Sequence, residues 1–484
     1  MNKFLSKLRG FSFFDTFRHA SIYFSGTLLI QGLGIISLPI FTHFLDTDQY
    51  GIANVYLSYV TVAAVLLSFN LHWAVTRFYL EPDADIKGFM ASSVTASSLC
   101  FVVFALPILY FKAPIAQFIK LPEATIPLLL LFTYTTIVWS IYSQLRIAQN
   151  KSKELTLVQV ILQYAKFGFG VLGLWYLGKG AADIFMGKIV GELIAATFVS
   201  LWLLYSLWPY MDFSKMRKSH LSYTIQYSIP LIPYALGGYI LTSFDQWFIN
   251  AYCGHSDAGL YSFAYKLGML LLGLITALQN ASIVAYTKWM DEKNYAAVDA
   301  QVLSVHKLSI LGALFLILFS VDAGTILSGD ASFRASLNLV PVIAGGYVFY
   351  GIALLYSRVF NYLKINIYLT FVILTAGVIN ILLNLYFIPI YKYPAAAYTT
   401  LASYLIMAIL AWFISAKYLK IQTTPISRLL LSLLPLIFIT VVYYSLGWQN
   451  IGMHWGIIAL KLLIAGLFAL GLFHKTIKRI LGFK

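Results

Sequence analysis

The chain is apolar sequence with short polar interruptions almost from end to end. Long apolar runs recur at 19–44, 50–71, 87–111, 124–147, 154–177, 182–208, 221–250, 258–281, 301–326, 336–357, 365–388, 394–416, 427–447 and 453–473. A helix of about 20 apolar residues crosses the hydrocarbon core of a bilayer. Inside that core each backbone polar group needs a partner within the protein, which helices supply and open sheets do not. The feature predicts an all-α polytopic membrane protein with fourteen transmembrane helices. Composition agrees, with 60% hydrophobic and 11% charged residues, against about 25% charged in an ordinary soluble domain. A soluble enzyme, a nucleic-acid-binding domain and a receptor with a folded ectodomain are excluded. Two cysteines, Cys100 and Cys253, do not make a disulfide framework.

The net charge of +15 follows topology. With the N-terminus placed in the cytoplasm, 24 of the 33 lysines and arginines fall on cytoplasmic segments. Lys112, Lys120, Lys179, Arg334 and Lys392 fall outside, and Lys166, Lys188, Lys266 and Lys461 fall within spans. This is the positive-inside bias, and it puts both termini in the cytoplasm. Residues 1–18 lack the continuous apolar core of a signal peptide. Phe4, Leu5, Leu8, Phe11 and Phe14 sit near helical spacing beside Lys3, Lys7 and Arg9, the pattern of a helix lying on an anionic membrane surface. The longest loop is expected near 282–300. No loop has the size of the large external loop expected of a polymerase or ligase acting on lipid-linked sugars.

A faint internal repeat relates 23–59 to 227–267. Each holds a long helix, a short acidic loop, then Gly and Tyr opening the next helix, so that Gly51 aligns with Gly259. An even number of helices per repeat preserves orientation, so the halves are related by an axis along the membrane normal. The organisation expected is an interfacial segment 1–18, an N-terminal six-helix bundle 19–208, a cytoplasmic linker 209–220, a C-terminal six-helix bundle 221–416, and two further helices with a tail at 417–484. The two bundles would surround a central cavity and rock about it.

The stretch 19–80 resembles the N-terminus of the polysaccharide-biosynthesis flippases, through its long first helix, the loop LDTDQYG (45–51) and NLHWAVTRFYLE (70–81). SFDQWFINAYCGHSDAGLYSFAYKLG (243–268) and the QNKSKE turn (149–154) are similar to family stretches too. The chain resembles the Wzx-type O-antigen and polysaccharide flippases of the multidrug/oligosaccharidyl-lipid/polysaccharide (MOP) exporter superfamily. The resemblance implies movement of an undecaprenyl-diphosphate-linked oligosaccharide from the cytoplasmic to the periplasmic leaflet of a bacterial inner membrane, without covalent chemistry. It also implies as partners the lipid bilayer, a coupling H+ or Na+, and a polysaccharide polymerase complex. The first helix carries Gln31 in place of the arginine-rich pattern of lipid II flippases, which points away from the peptidoglycan precursor. A small-molecule or drug antiporter of the same superfamily is the alternative, and a membrane polymerase or ligase a further one.

A lipid-diphosphate flippase needs cations for the diphosphate, a polar surface for the glycan and a carboxylate for ion coupling. An ionisable side chain within the bilayer is costly, which makes each one a functional candidate. Gln159, Gln163 and Lys166 lie four and three residues apart, on one helix face continued by Gly170 and Gly173. Lys166 is about 18 Å into its span at 1.5 Å per residue. Its readings are a cavity cation or a local pair. Lys188 and Glu192, four apart, read as a same-helix ion pair or as cavity-facing groups. Asp245 and Lys266 fall at similar depth on adjacent spans and read as a buried pair. Alternatively Asp245 is the coupling carboxylate, with Glu192 and Asp322 as further candidates.

Arg77 and Arg358, like Arg18 beside His19, lie at cytoplasmic span ends. Each suits a phosphate or plain positive-inside anchoring. His306 beside Lys307 reads as interfacial, and Lys461 as lipid-binding or snorkelling. Tyr56 with Tyr59, and Tyr347 with Tyr350, are spaced to stack on sugar rings or to pack in the core. GLWYLGKG (173–180) matches a P-loop except at Gly180, where Ser or Thr would hold magnesium, so no ATP-driven pump is expected. No cofactor motif and no metal-spaced cluster is present in the sequence.

Overall fold

A computed structural model describes residues 13–81, 84–178, 183–421, 424–448 and 455–480. Of the described residues 89% are helical and none is in a strand. Residues 1–12 of the expected interfacial segment, and the side chains of Arg18 and His19, lie outside the described set.

The helices in chain order are α1 (Phe13–Phe44), α2 (Thr47–Ser68), α3 (Trp73–Phe78), α4 (Ile86–Tyr110), α5 (Lys112–Ile119), α6 (Thr125–Ala148), α7 (Ser152–Leu177), α8 (Ile184–Leu207) and α9 (Lys218–Ser228). They continue as α10 (Ile232–Cys253), α11 (His255–Asp291), α12 (Tyr295–Leu327), α13 (Val340–Tyr362), α14 (Asn366–Tyr391), α15 (Tyr393–Trp412), α16 (Ile426–Leu431), α17 (Leu434–Ser445) and α18 (Trp455–Ile480). Among the described residues, 11 helices are long and apolar enough to cross a membrane. The first, seventh and fourteenth spans read from the sequence fall on α1, α9–α10 and α18. The protein is a multi-pass, all-helical membrane protein.

Two local readings are corrected. The loop expected near 282–300 is almost entirely helix. At 37 residues α11 is about 55 Å long, which exceeds the bilayer thickness and carries the helix past its face. Only Glu292–Asn294 then separate α11 from α12, and the Asn294 side chain caps α12 by accepting from Ala297 N at 3.2 Å. The second span, read as one helix to residue 71, breaks instead. Phe69 and Asn70 are consecutive left-handed residues, at φ 48° and 52°. Asn tolerates that region and Phe does not readily. The break is held by Asn70 N donating to Ser68 Oγ at 3.2 Å and by Trp73 N donating to Asn70 O at 2.9 Å.

Two compact units are formed. The first comprises Met1–Gly34, Tyr59–Leu177 and Met186–Ile232, and the second Ile35–Ser58, Gly178–Phe185 and Pro233–Lys484. In the first unit, Phe78 stacks on Phe89 with ring centres 3.8 Å apart, in a core with Tyr142, Leu145 and Leu203. Its α7 and α8 approach backbone to backbone. A Cβ on Gly173 would sit 2.0 Å from the Gly187 carbonyl oxygen, and one on Gly191 2.1 Å from that of Phe169. Glycine is what permits this separation, as small residues do between membrane helices. In the second unit α13 is buried along most of its length, the central position of that bundle.

Several hydroxyl side chains within the spans bond to the carbonyl one turn before them, which meets the demand for internal partners in a bilayer. Ser92 donates to the Gly88 carbonyl at 2.8 Å and Thr133 to that of Leu129 at 2.7 Å.

Candidate functional site

Two arrangements of ionisable residues within the spans carry the site candidates, one in each unit. In the first unit, the close approach of α7 and α8 brings together Lys166, Lys188 and Glu192. Lys188 Nζ lies 2.7 Å from Glu192 Oε1, with both side chains buried, so the same-helix pair is formed. Lys166 is half-buried and within electrostatic reach of both members of the pair. Its ammonium sits 4.6 Å from the centre of the Phe132 ring, over the face, an arrangement that holds a cation without a full counter-charge. Two lysines and one carboxylate leave one positive charge in excess. Gln159, Gln163 and Gln31 are half-buried on α7 and α1. Gly170 and Gly173, read from the sequence as continuing the Lys166 face, belong to the α7–α8 contact. A Cβ on Gly170 would lie 3.1 Å from Glu192 Cγ.

In the second unit the pairing of Asp245 with Lys266 is not formed. Asp245, on α10, is almost fully buried. Tyr261 of α11 donates to its Oδ2 at 2.6 Å, Thr400 of α15 to the same oxygen at 2.6 Å, and Asn384 of α14 to Oδ1 at 2.7 Å. Behind these donors, Asn384 also donates to Asn380 Oδ1 at 3.1 Å, and Thr399 donates to Asn384 Oδ1. Among the described residues no lysine, arginine or histidine pairs with Asp245. Four helices therefore converge on one carboxylate through neutral donors alone. Lys266 instead places its ammonium 4.8 Å from the Tyr50 ring centre. Equal depth fixes the height of a residue along its helix and leaves the rotation about the helix axis open.

The other candidates are placed plainly. Asp322 forms a buried ion pair with Lys461 of α18, so Lys461 neither snorkels nor faces lipid. Its ammonium also lies 5.4 Å from the Trp448 ring centre. Arg358 is buried, and its Nη2 donates to the Gln279 carbonyl at 3.1 Å and to Ser282 Oγ at 2.5 Å, tying α13 to α11. Arg77 is half-exposed and lies 3.5 Å from Glu81. His306, expected at the interface, is buried, with Nε2 3.1 Å from the Leu429 carbonyl oxygen. Tyr56 and Tyr347 are core residues.

Sequence reasoning missed Asn380, Asn384, Thr399 and Thr400. A signal was available: two asparagines four apart in the apolar run AGVINILLNLYF (376–387) share a helix face, and amides are rare in lipid unless they have a partner. It also missed Arg146, which was counted only as a cytoplasmic charge. Arg146 is buried 2.9 Å from Glu154, which in turn accepts from the Tyr142 hydroxyl at 2.9 Å. This network fixes the α6–α7 turn.

The family model described as polysaccharide biosynthesis protein matches residues 17–286. The chain belongs to that family. No curated protein is recognisably similar in sequence. The fold is that of the MOP superfamily. A lipid II flippase MurJ in an inward closed conformation superposes with a TM-score of 0.75 at 16% identity, over 94% of this chain and 99% of that one. An inward-facing multidrug-resistance transporter of the MATE family gives 0.66 at 12% identity, over 83% and 98%. A MOP superfamily transporter from Pyrococcus furiosus gives 0.59 at 13% identity, over 84% and 95%. The expected resemblance holds at the level of family and fold: the chain is a multi-pass membrane protein of the polysaccharide-biosynthesis family with the MOP-superfamily fold.

Proposed function

We propose that the protein is a flippase. It carries an undecaprenyl-diphosphate-linked oligosaccharide, of the O-antigen or a related surface-polysaccharide type, from the cytoplasmic to the periplasmic leaflet by alternating access. In this reading the membrane is the bacterial inner membrane and both termini are cytoplasmic. The observation that carries it is the unbalanced cation at Lys166, beside the neutralised Lys188–Glu192 pair. A diphosphate needs positive charge and hydrogen-bond donors inside a low-dielectric site, where electrostatic attraction is strong. Lys166 supplies the charge, and Gln159, Gln163 and Gln31 supply amides for the phosphates and sugar hydroxyls.

Asp245 is the ion-coupling residue in this proposal. A buried carboxylate without a cationic partner is expensive, and a proton or a sodium ion relieves that cost. The oxygens of Asn380, Asn384, Thr399 and Thr400 suit a hard monovalent cation, and the same cage suits a protonated acid. Glu192 and Asp322 are each already paired, which leaves Asp245 as the carboxylate free to exchange. A drug antiporter would use the same acid, but the excess positive charge at Lys166 is the wrong sign for cationic drugs. The test is purified protein in liposomes, assayed for flipping of a lipid-diphosphate oligosaccharide with wild type and Lys166→Ala. Loss in the variant, with normal membrane insertion, is the expected result.

A further inference from the structure

The connection between α8 and α9 is a strap fixed against the start of α4. It contains two short turns, Trp208–Tyr210 and Phe213–Lys215. Asp212 N donates to the Lys87 carbonyl at 3.1 Å. A Cβ on Gly88 would fall 2.5 Å from the Lys215 carbonyl oxygen and 3.0 Å from His220 Cε1, so the strap backbone seats directly on that glycine. His220 anchors the far end. Its buried ring lies edge-on to Phe78 and Phe89, with centres 5.6 and 5.8 Å away, and its Nδ1 is 3.4 Å from Ser92 Oγ. Asp212 braces the second turn by accepting from Ser214 N at 3.1 Å.

With its backbone held, the strap exposes side chains of two kinds. Trp208, Phe213 and Met216 are 65%, 48% and 39% exposed, and the Trp208 and Phe213 ring centres lie 5.8 Å apart. Met216 Sδ rests 3.9 Å from Thr95 Oγ1 of α4. Lys215, Arg217 and Lys218 are exposed beside these apolar groups, as is Lys87 at the start of α4. The carboxylates nearby are Asp212, 3.5 Å from Lys215 Nζ, and Asp85, which accepts from Gly88 N. Four cations against two carboxylates leave the surface positive. Large exposed apolar side chains interleaved with basic ones, at the end of a span, suit a bilayer interface. There the aromatics sit at headgroup level and the cations meet lipid phosphates.

We propose that this strap is a docking site for anionic phospholipid headgroups of the cytoplasmic leaflet. Phe213 and Met216 enter the interface, and Lys215, Arg217 and Lys218 bind headgroup phosphates. The charge selects the lipid, because basic clusters at a membrane surface are drawn to net-negative headgroups and much less to zwitterionic ones. The seat on Gly88 presents the three cations in one arrangement, so little ordering remains when a headgroup arrives. The cytoplasmic placement rests on the topology proposed above, while the docking does not depend on what the protein transports.

The test uses full-length protein with Cys100→Ser, Cys253→Ser and Ser219→Cys, the last an exposed position beside the strap. A fluorophore on that cysteine is read in nanodiscs of phosphatidylcholine, alone or mixed with phosphatidylglycerol, that carry a nitroxide quencher on the headgroup. Stronger quenching is expected in the mixed bilayer, weakening with added salt. Lys215→Gln with Arg217→Gln and Lys218→Gln should bring it down to the phosphatidylcholine level, and Phe213→Ser with Met216→Ser should lower it in both bilayers. Equal quenching in the two bilayers overturns the proposal, as does undiminished quenching in the triple glutamine protein. Gly88→Ala keeps every charge and displaces the strap, so an undiminished response there overturns the seated site. Labelling of Ser219→Cys in intact cells by an impermeant reagent from the periplasmic side overturns the cytoplasmic placement. Protein that docks as described and flips no lipid supports the docking and sinks the flippase reading.

Discussion

The Asn384 amide donates to Asp245 Oδ1 at 2.7 Å, tying α14 to α10 at the point where Tyr261 and Thr400 also reach the carboxylate. All three partners donate neutral hydrogens, so the site keeps its shape whether or not an ion is exchanged. Asp245→Asn preserves size and loses the exchangeable charge. It is expected to fold and insert normally and to flip at a rate no longer dependent on pH or sodium. Retained ion dependence, measured in liposomes under imposed gradients, would place coupling elsewhere.

Asn384→Leu should act differently. It removes one donor to Asp245 and one acceptor for Thr399, leaving buried polar atoms unmet at about 1–3 kcal/mol each. A lower thermal unfolding midpoint in detergent is expected, in contrast to the near-normal midpoint of Asp245→Asn.

Lys188 and Glu192 form a buried pair, so single truncation strands a charge. Lys188→Met should cost about 3–5 kcal/mol, while Lys188→Met with Glu192→Leu should recover most of that loss. Unfolding midpoints of the three proteins check this. A double variant as unstable as the single one would show that the pair contributes stability beyond its own neutralisation.

His72 lies just past the end of α2 and is buried, which holds its imidazole neutral, with the pKa down at about 4. The unfolded chain, near 6.5, binds a proton at higher pH than the folded one does. Stability from this residue is therefore fully present above about pH 6.5 and falls as pH drops from there toward 4. His72→Gln should flatten that part of the pH–stability curve. An unchanged acid limb would mean that His72 is solvated in the folded protein.

The helical architecture was legible because apolar runs of membrane length have so few alternatives. The Lys188–Glu192 pair was legible for a similar reason: i and i+4 on one helix settle a contact locally. Asp245 illustrates the limit. Its position in an apolar run marked it as a candidate, but its partners come from three other helices, and no periodicity within α10 encodes their rotation. Lys461 shows the same limit, since an apparently lipid-facing lysine is buried against Asp322 by the packing of α18 on α12. A close approach of α2 to α11 was half legible. The repeat aligned Gly51 with Gly259, and only the fold showed that a Cβ on either would crowd the backbone nitrogen of the other.

The most direct test of the account is transbilayer movement of the lipid itself. Purified protein is placed in liposomes carrying an undecaprenyl-diphosphate oligosaccharide with a fluorophore on the sugar, and an impermeant quencher is added outside. Wild-type protein should bring the inner-leaflet sugar into reach of the quencher, while Lys166→Ala should leave it protected. Wild-type liposomes, with folded protein and an imposed ion gradient, that protect the sugar as well as protein-free liposomes do would contradict the account.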